Sequence, residues 1–244
     1  MLNPYEHNRA VTTFPHWVEN DFARMFPEFS NNLYADGEVV YQQNDYLTSC
    51  HGKDLMIIGG GPSSKNEVWK ETKTDSLWTM NQFYKSTIFE DQKIDLAMIM
   101  GETNLNDPGY IKRRDKDNIL IGFESHDRWI GYKFDDYRNY FCMHTRFYGR
   151  IGIGARMMIF AASVGFKNVF FTGLDGPDEI YLGNHAFEPG KTTLPSIFVN
   201  QPPQVVAYHH KMQYDYLWNF IRDKYPDTKF VNLGGGNKYH EECR

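Results

Sequence analysis

"DLMIIGGGPSS", residues 54–64, decides how this chain is read. Leu55 to Ile58 form an unbroken apolar run, bounded by an acid on one side and three glycines on the other. Such a run suits a strand buried on both faces, as in a parallel sheet. Gly59, Gly60 and Gly61 let the backbone turn sharply and approach an anion, and Pro62, Ser63 and Ser64 follow with hydroxyls that can donate or cap the next helix. The stretch reads either as a strand delivering a phosphate-binding loop or as a strand ending in a structural turn. It lacks the Gly-Lys-Ser/Thr of a Walker loop and the full G-x-G-x-x-G spacing.

Outward from this stretch, short apolar segments alternate with helical ones. "SLWTMN" (76–81), "DLAMIMG" (95–101), "NILIGFES" (118–125), "NVFFTGLD" (168–175) and "KFVNLGGGN" (229–237) read as strands. "GARMMIFAASVG" (154–165) reads as a helix closed by a glycine, and "VVAYHHKMQYDYLWNFIRDKY" (205–225) as a long helix with an aromatic stripe. "YIKRRDKDN" (110–118) is the densest charge run and reads as a solvated loop. The expected fold is α/β: a single Rossmann-like, doubly wound, mostly parallel sheet with helices on both faces and a lid loop. Residues 51–244 form the nucleotide-binding domain, with the Gly- and Pro-rich lid at about 176–203. Residues 1–50 read as an aromatic-rich extension packed on it, with a helical face at Trp17, Phe22 and Phe26 and a turn at Asp36-Gly37.

The chain has 244 residues and a formal net charge of -5, which argues against general nucleic-acid binding. Cys50, Cys142 and Cys243 are widely spaced and odd in number, which suits neither a metal site nor a disulfide framework, so a cytoplasmic setting is expected. No apolar run approaches the ~18 residues of a membrane span, and the N-terminus lacks a signal-peptide pattern.

Ligands of doubly wound sheets bind beyond the carboxyl ends of the strands, and the candidate residues cluster at such ends. The amides of Asn81 and Gln82 can read a base or ribose, or simply close a turn. Asp175 can meet ribose, a metal ion or a loop amide, though "DGPDE" is no metal motif and no metal ligand is assigned. Arg150, opening "RIGIGARMM" with Gly152 and Gly154, can clamp a phosphate or form a surface ion pair. His209 and His210 point in different directions on a helix, so one can face the cleft as a general base. His185 lies in "GNHAFEPGK", on the lid.

Taken in order, "IIGGGPSSK", "MNQFY", "RIGIGARMMIFAASVGFKNVFFTGLD", "HAFE" and "HHKMQYDYLWNFIRDKY" resemble the bacterial sialyltransferases of glycosyltransferase family 42. They are also similar to the broader DUF115 group, with its MptE-like pterin pyrophosphokinases. The resemblance covers roughly residues 53–235. It implies contacts from Gly59, Gly61, Pro62, Ser63, Asn81 and Gln82 to the nucleotide of a CMP-sugar, and the role of general base for His209. The chain departs from the family pattern at Gly60, where the family has asparagine. It departs again at Ile153 and Gly101-Glu102, and at two phosphate-binding tyrosines whose places fall to Pro177 and His185. Tyr181 lies nearby as a substitute. His185 can still donate to a phosphate, more strongly if protonated.

The leading expectation is a nucleotide-sugar-dependent, inverting glycosyltransferase that needs no cofactor. Its partners would be the nucleotide-sugar and a glycan or other hydroxyl acceptor, with peripheral membrane association if that acceptor is lipid-linked, and a homo-oligomer. The alternatives are a pyrophosphokinase using ATP and Mg²⁺, and a non-catalytic nucleotide-binding module.

Overall fold

The computed structural model describes residues 34–35, 38–39, 45–99, 103–124, 139–143, 152–176, 184–191, 202–235, 238–241 and 243. Two short strands, β1 (Tyr34–Ala35) and β2 (Glu38–Val39), pair antiparallel and flank the expected turn. Asp36-Gly37 itself, and the expected helix at 16–26, lie outside the described residues. A five-residue helix, α1 (Asp45–Ser49), leads into the main sheet.

Among the described residues that sheet has seven strands. In chain order they are β3 (Asp54–Ile58), β4 (Ser76–Met80), β5 (Leu96–Met98), β6 (Leu120–Glu124), β7 (Tyr140–Met143), β8 (Asn168–Thr172) and β9 (Lys229–Asn232). Their spatial order is β7-β6-β5-β4-β3-β8-β9, and all six pairings are parallel. From β3 the chain steps one way through β7, then returns to the other side of β3 for β8 and β9. Right-handed crossovers put the connections of the two halves on opposite faces. The order reverses between β3 and β8, so the doubly wound expectation holds and the switch point is fixed there.

Burial explains the apolar runs. Every residue of β4 is buried, as are Leu55 to Ile58 in β3. Helix α2 (Pro108–Asp117) links β5 to β6, α3 (Ile153–Val164) precedes β8, and α4 (Pro203–Lys224) precedes β9. Ser163 alone in α3 is not buried, which is why its sequence reads Met-Met-Ile-Phe-Ala-Ala without polar alternation. Gly165 closes it at φ 83°, the left-handed conformation that favours glycine.

Two elements differ from expectation. Residues 110–118 are helical, not a loop. Asp107 caps α2 by accepting the Gly109 amide at 2.8 Å, Pro108 opens it, and Asn118 ends it at φ 52°. Its buried face is Tyr110 and Arg114; the guanidinium lies between the Tyr110 and Tyr140 rings (5.7 and 5.9 Å) and donates to the Tyr140 hydroxyl at 2.9 Å. Arg113 pairs with Asp117 one turn on, at 2.8 Å. The second difference is the edge strand β7, which the sequence pattern does not reveal.

Candidate nucleotide-binding crevice

The carboxyl ends of β3 and β8 are pinched together. A Cβ built on Gly59 would lie 2.3 Å from the Gly173 carbonyl oxygen, so the two backbones touch only because both positions are glycine. Three amides of the turn are then spent on the β8 exit. Gly59 N–H donates to the Thr172 carbonyl (2.8 Å), Gly61 N–H to the Gly173 carbonyl (2.7 Å), and Ser63 N–H to Asp175 Oδ2 (2.8 Å). Ser63 Oγ adds a contact to Thr172 Oγ1 (3.0 Å) and accepts the Gly173 amide (2.8 Å). Ser64 Oγ donates back to the Gly61 carbonyl at 2.8 Å, across the 3-10 turn Pro62–Asn66. The turn is therefore latched. Of the three roles open to Asp175, the carboxylate here takes that of partner to a loop amide.

Gly154, at the start of α3, is a packing glycine: its Cβ would fall 2.5 Å from Leu174 Cδ2. Gly152 is the residue before the helix and meets nothing within 4 Å at its Cβ position. Asn81 ends β4 at φ 49°, with its amide bonded to the Met98 carbonyl at 3.0 Å, and Gln82 beside it is buried. Asparagine is among the few non-glycine residues that adopt this left-handed conformation readily, so it suits the turn that follows the strand.

His185 comes down onto the glycine turn. Ala186 N–H donates to the Gly60 carbonyl at 2.6 Å, and the imidazole lies where a Gly60 side chain would be. The residue is 6% exposed. Burial, and next the charge of Lys191, lower its pKa to about 4, so it is neutral at physiological pH. Any donation from this ring is therefore that of a neutral imidazole, without the added strength of a protonated one. The Glu188 amide donates to Nδ1 at 3.1 Å, which puts the ring proton on Nε2. Glu188 ties the segment to the β4 side through Lys85 (2.5 Å) and is also paired with Lys191 (3.4 Å). Phe187 packs under His185 and against Phe89. Residues 184–191 of the expected lid are thus docked across the ends of β3 and β4.

Residues 239 and 240 brace the β8 exit from below. His240 Nε2 meets the Leu174 carbonyl at 2.7 Å, and the Tyr239 ring fills the space that a Cβ on Gly176 would need. His240 is enclosed by Phe171, Tyr214 and Trp218, and burial lowers its pKa to about 4. Burial, followed by the nearby Asp175 charge, raises the pKa of Tyr214.

Gly59, Gly60, Gly61, Ser63, Asp175 and His185 are thus brought together, with Asn81 and Gln82 at the neighbouring strand end. His209 is exposed on α4, its ring edge-on to Tyr208 at 5.8 Å, while His210 is buried with Nδ1 3.1 Å from the Val206 carbonyl. Arg150, Gly101-Glu102, Pro177 and Tyr181 lie outside the described residues. Sequence reasoning misses Glu188, Lys85 and His240; only the short spacing of "HAFE" hints that a residue after His185 orients it.

The fold defines a Rossmann-like α/β protein with the glycine turn at its switch point. Two solved structures share that architecture. One is the monofunctional α-2,3-sialyltransferase Cst-I from Campylobacter jejuni, with a TM-score of 0.53 at 14% identity over 86% of this chain and 83% of that one. The other is a variant of the sialyltransferase Cst-II in complex with CMP, with a TM-score of 0.51 at 16% identity over 74% and 81%. No protein-family model matches the chain, and no curated protein does. Among the described residues no helix is long and apolar enough to cross a membrane.

Proposed function

We propose that the protein is a nucleotide-sugar-dependent glycosyltransferase, sialyltransferase-like, that takes its sugar from a CMP-sugar donor. The observation that carries this reading is the β3/β8 switch point, where the glycine turn, Asp175 and His185 meet. The fold shared with Cst-I, and the CMP bound by the Cst-II variant, support it. Asn81 and Gln82 would read the base or ribose, and the Gly59 to Ser64 turn would face the phosphate.

The two histidines divide the chemistry. His185 is buried with a lowered pKa and makes a poor base but a steady N–H donor. His209 is exposed on α4 and is assigned the role of base. Its imidazole takes the acceptor hydroxyl proton as that oxygen bonds to the anomeric carbon. The bond from that carbon to the phosphate oxygen breaks on the opposite face, CMP leaves with the electron pair, and the configuration inverts. Arg150 would anchor the donor. The acceptor is a glycan or another hydroxyl compound, and no metal is required.

The test is release of CMP from CMP-sialic acid, and transfer of the sugar, across a panel of galactoside acceptors. Turnover that His209→Ala abolishes is expected. Full activity in that variant overturns the assigned base. Absence of turnover with every CMP-sugar, alongside turnover of ATP with Mg²⁺, overturns the glycosyltransferase reading.

A further inference from the structure

We infer that the chain carries a second ligand site, at the amino end of the sheet and away from the glycine turn, that takes a small aromatic carboxylate. The site is a cavity of about 360 Å³ between the turn before β3, the end of α3 and the turn that joins α4 to β9. That volume lies at the small end of ligand cavities and suits a compound with a single ring. The site is independent of the proposed transfer chemistry, which belongs to the opposite, carboxyl end of the strands. Its walls are fixed by bonds between the segments that meet there. Gly52 N–H donates to the Gly165 carbonyl at 2.8 Å, Lys167 N–H to the Lys53 carbonyl at 2.8 Å, and Thr228 Oγ1 to the Phe166 carbonyl at 2.9 Å. A Cβ on Gly165 would lie 2.6 Å from His51 Cδ2, so the imidazole rests against bare glycine backbone at the edge of the cavity.

The lining names the chemistry of the ligand. Phe166, which is buried, and Tyr225, which is half-buried and has Phe220 beside it at 6.4 Å, supply an apolar surface that needs little further ordering. Lys167 and Lys224 are exposed on the same wall, and neither forms an ion pair with a described residue. In a chain of net charge -5 they are a local excess of positive charge, which attracts an anion from outside. Part of that charge is offset, because Asp227 also lines the cavity and the negative ends of α3 and α4 both lie here. The offset is limited, since the Gly165 amide caps the last carbonyls of α3 and the Tyr225 amide bonds to the Ile221 carbonyl of α4. The balance favours a ligand with one negative charge over a phosphate ester with two. A ring for Phe166 and Tyr225 and a carboxylate for the two ammonium groups meet both demands.

The experiment titrates the ¹⁵N-labelled full chain with benzoate and follows the backbone amides by NMR, with benzamide (the ring without the charge) and acetate (the charge without the ring) as controls. Saturable shifts at Gly52, Gly165, Lys167 and Thr228 are expected, with a Kd of about 1 mM or below. Benzamide and acetate should bind roughly tenfold more weakly or worse. Lys167→Gln and Lys224→Gln should each weaken benzoate binding roughly threefold, and Asp227→Asn should strengthen it, with the Tm of all three variants unchanged at these exposed positions. Benzoate binding should be the same with and without CMP. Shifts that do not saturate, equal binding of benzamide, or unchanged affinity in both lysine variants overturn the proposal. Competition between CMP and benzoate also overturns it, because the two would then share one site.

Discussion

Gly59 and Gly173 show how one atom can decide a site. With 2.3 Å between a Gly59 Cβ and the Gly173 oxygen, Gly59→Ala must push the paired ends of β3 and β8 apart. A loss of about 2–3 kcal/mol in unfolding free energy is expected in urea titration. Asp175→Ala leaves the Ser63 amide without its carboxylate and is expected to cost about 1–3 kcal/mol by the same measurement. The adjacent histidines should separate cleanly. His209→Ala, at an exposed position, should leave stability within ~0.5 kcal/mol and remove transfer activity. His210→Ala, at a buried position bonded to the helix backbone, should cost about 2–3 kcal/mol. The opposite pattern would exchange their roles. The sequence singles these residues out but does not show how they meet. Ser63 and Asp175 are 112 positions apart, and the His185 tautomer depends on an amide that no side-chain pattern reveals.

At the level of elements, legibility followed burial. β3, β4 and α3 are buried along nearly their whole length, so each left an apolar run closed by glycine or a polar turn. Helix α2 left none, because its buried anchor is an arginine stacked between two tyrosines, and pattern reading scores arginine as solvent-facing. β7 pairs only with β6 among the described strands, and its four residues are too few to show a period. Asp107→Ala is expected to cost about 1 kcal/mol through loss of the α2 cap. Arg114→Met should keep much of the packing yet lose the bond to the Tyr140 hydroxyl, and circular dichroism with urea unfolding would read both.

Across the whole molecule, two buried histidines make stability depend on pH. His185 and His240 both have folded pKa values of about 4 against an ordinary 6.5, so the unfolded chain binds more protons between those values. Stability therefore rises with pH through that window; the contribution is complete above it and is lost as pH falls towards 4. Unfolding at pH 5 is expected to need less urea than at pH 7, by up to ~2 kcal/mol per histidine, and His240→Phe should flatten the slope. The doubly wound order was legible as a class from alternating strands and helices, but the position of β8 beside β3 was not, since it depends on a crossover returning across the sheet. That placement makes the crevice, and the crevice carries the functional account. The most direct test is thermal stabilisation of the full chain by CMP, UDP, GDP and ATP, each with and without Mg²⁺. The account predicts a rise in Tm with CMP that does not need Mg²⁺. A rise confined to ATP with Mg²⁺, or none with any nucleotide, would contradict it.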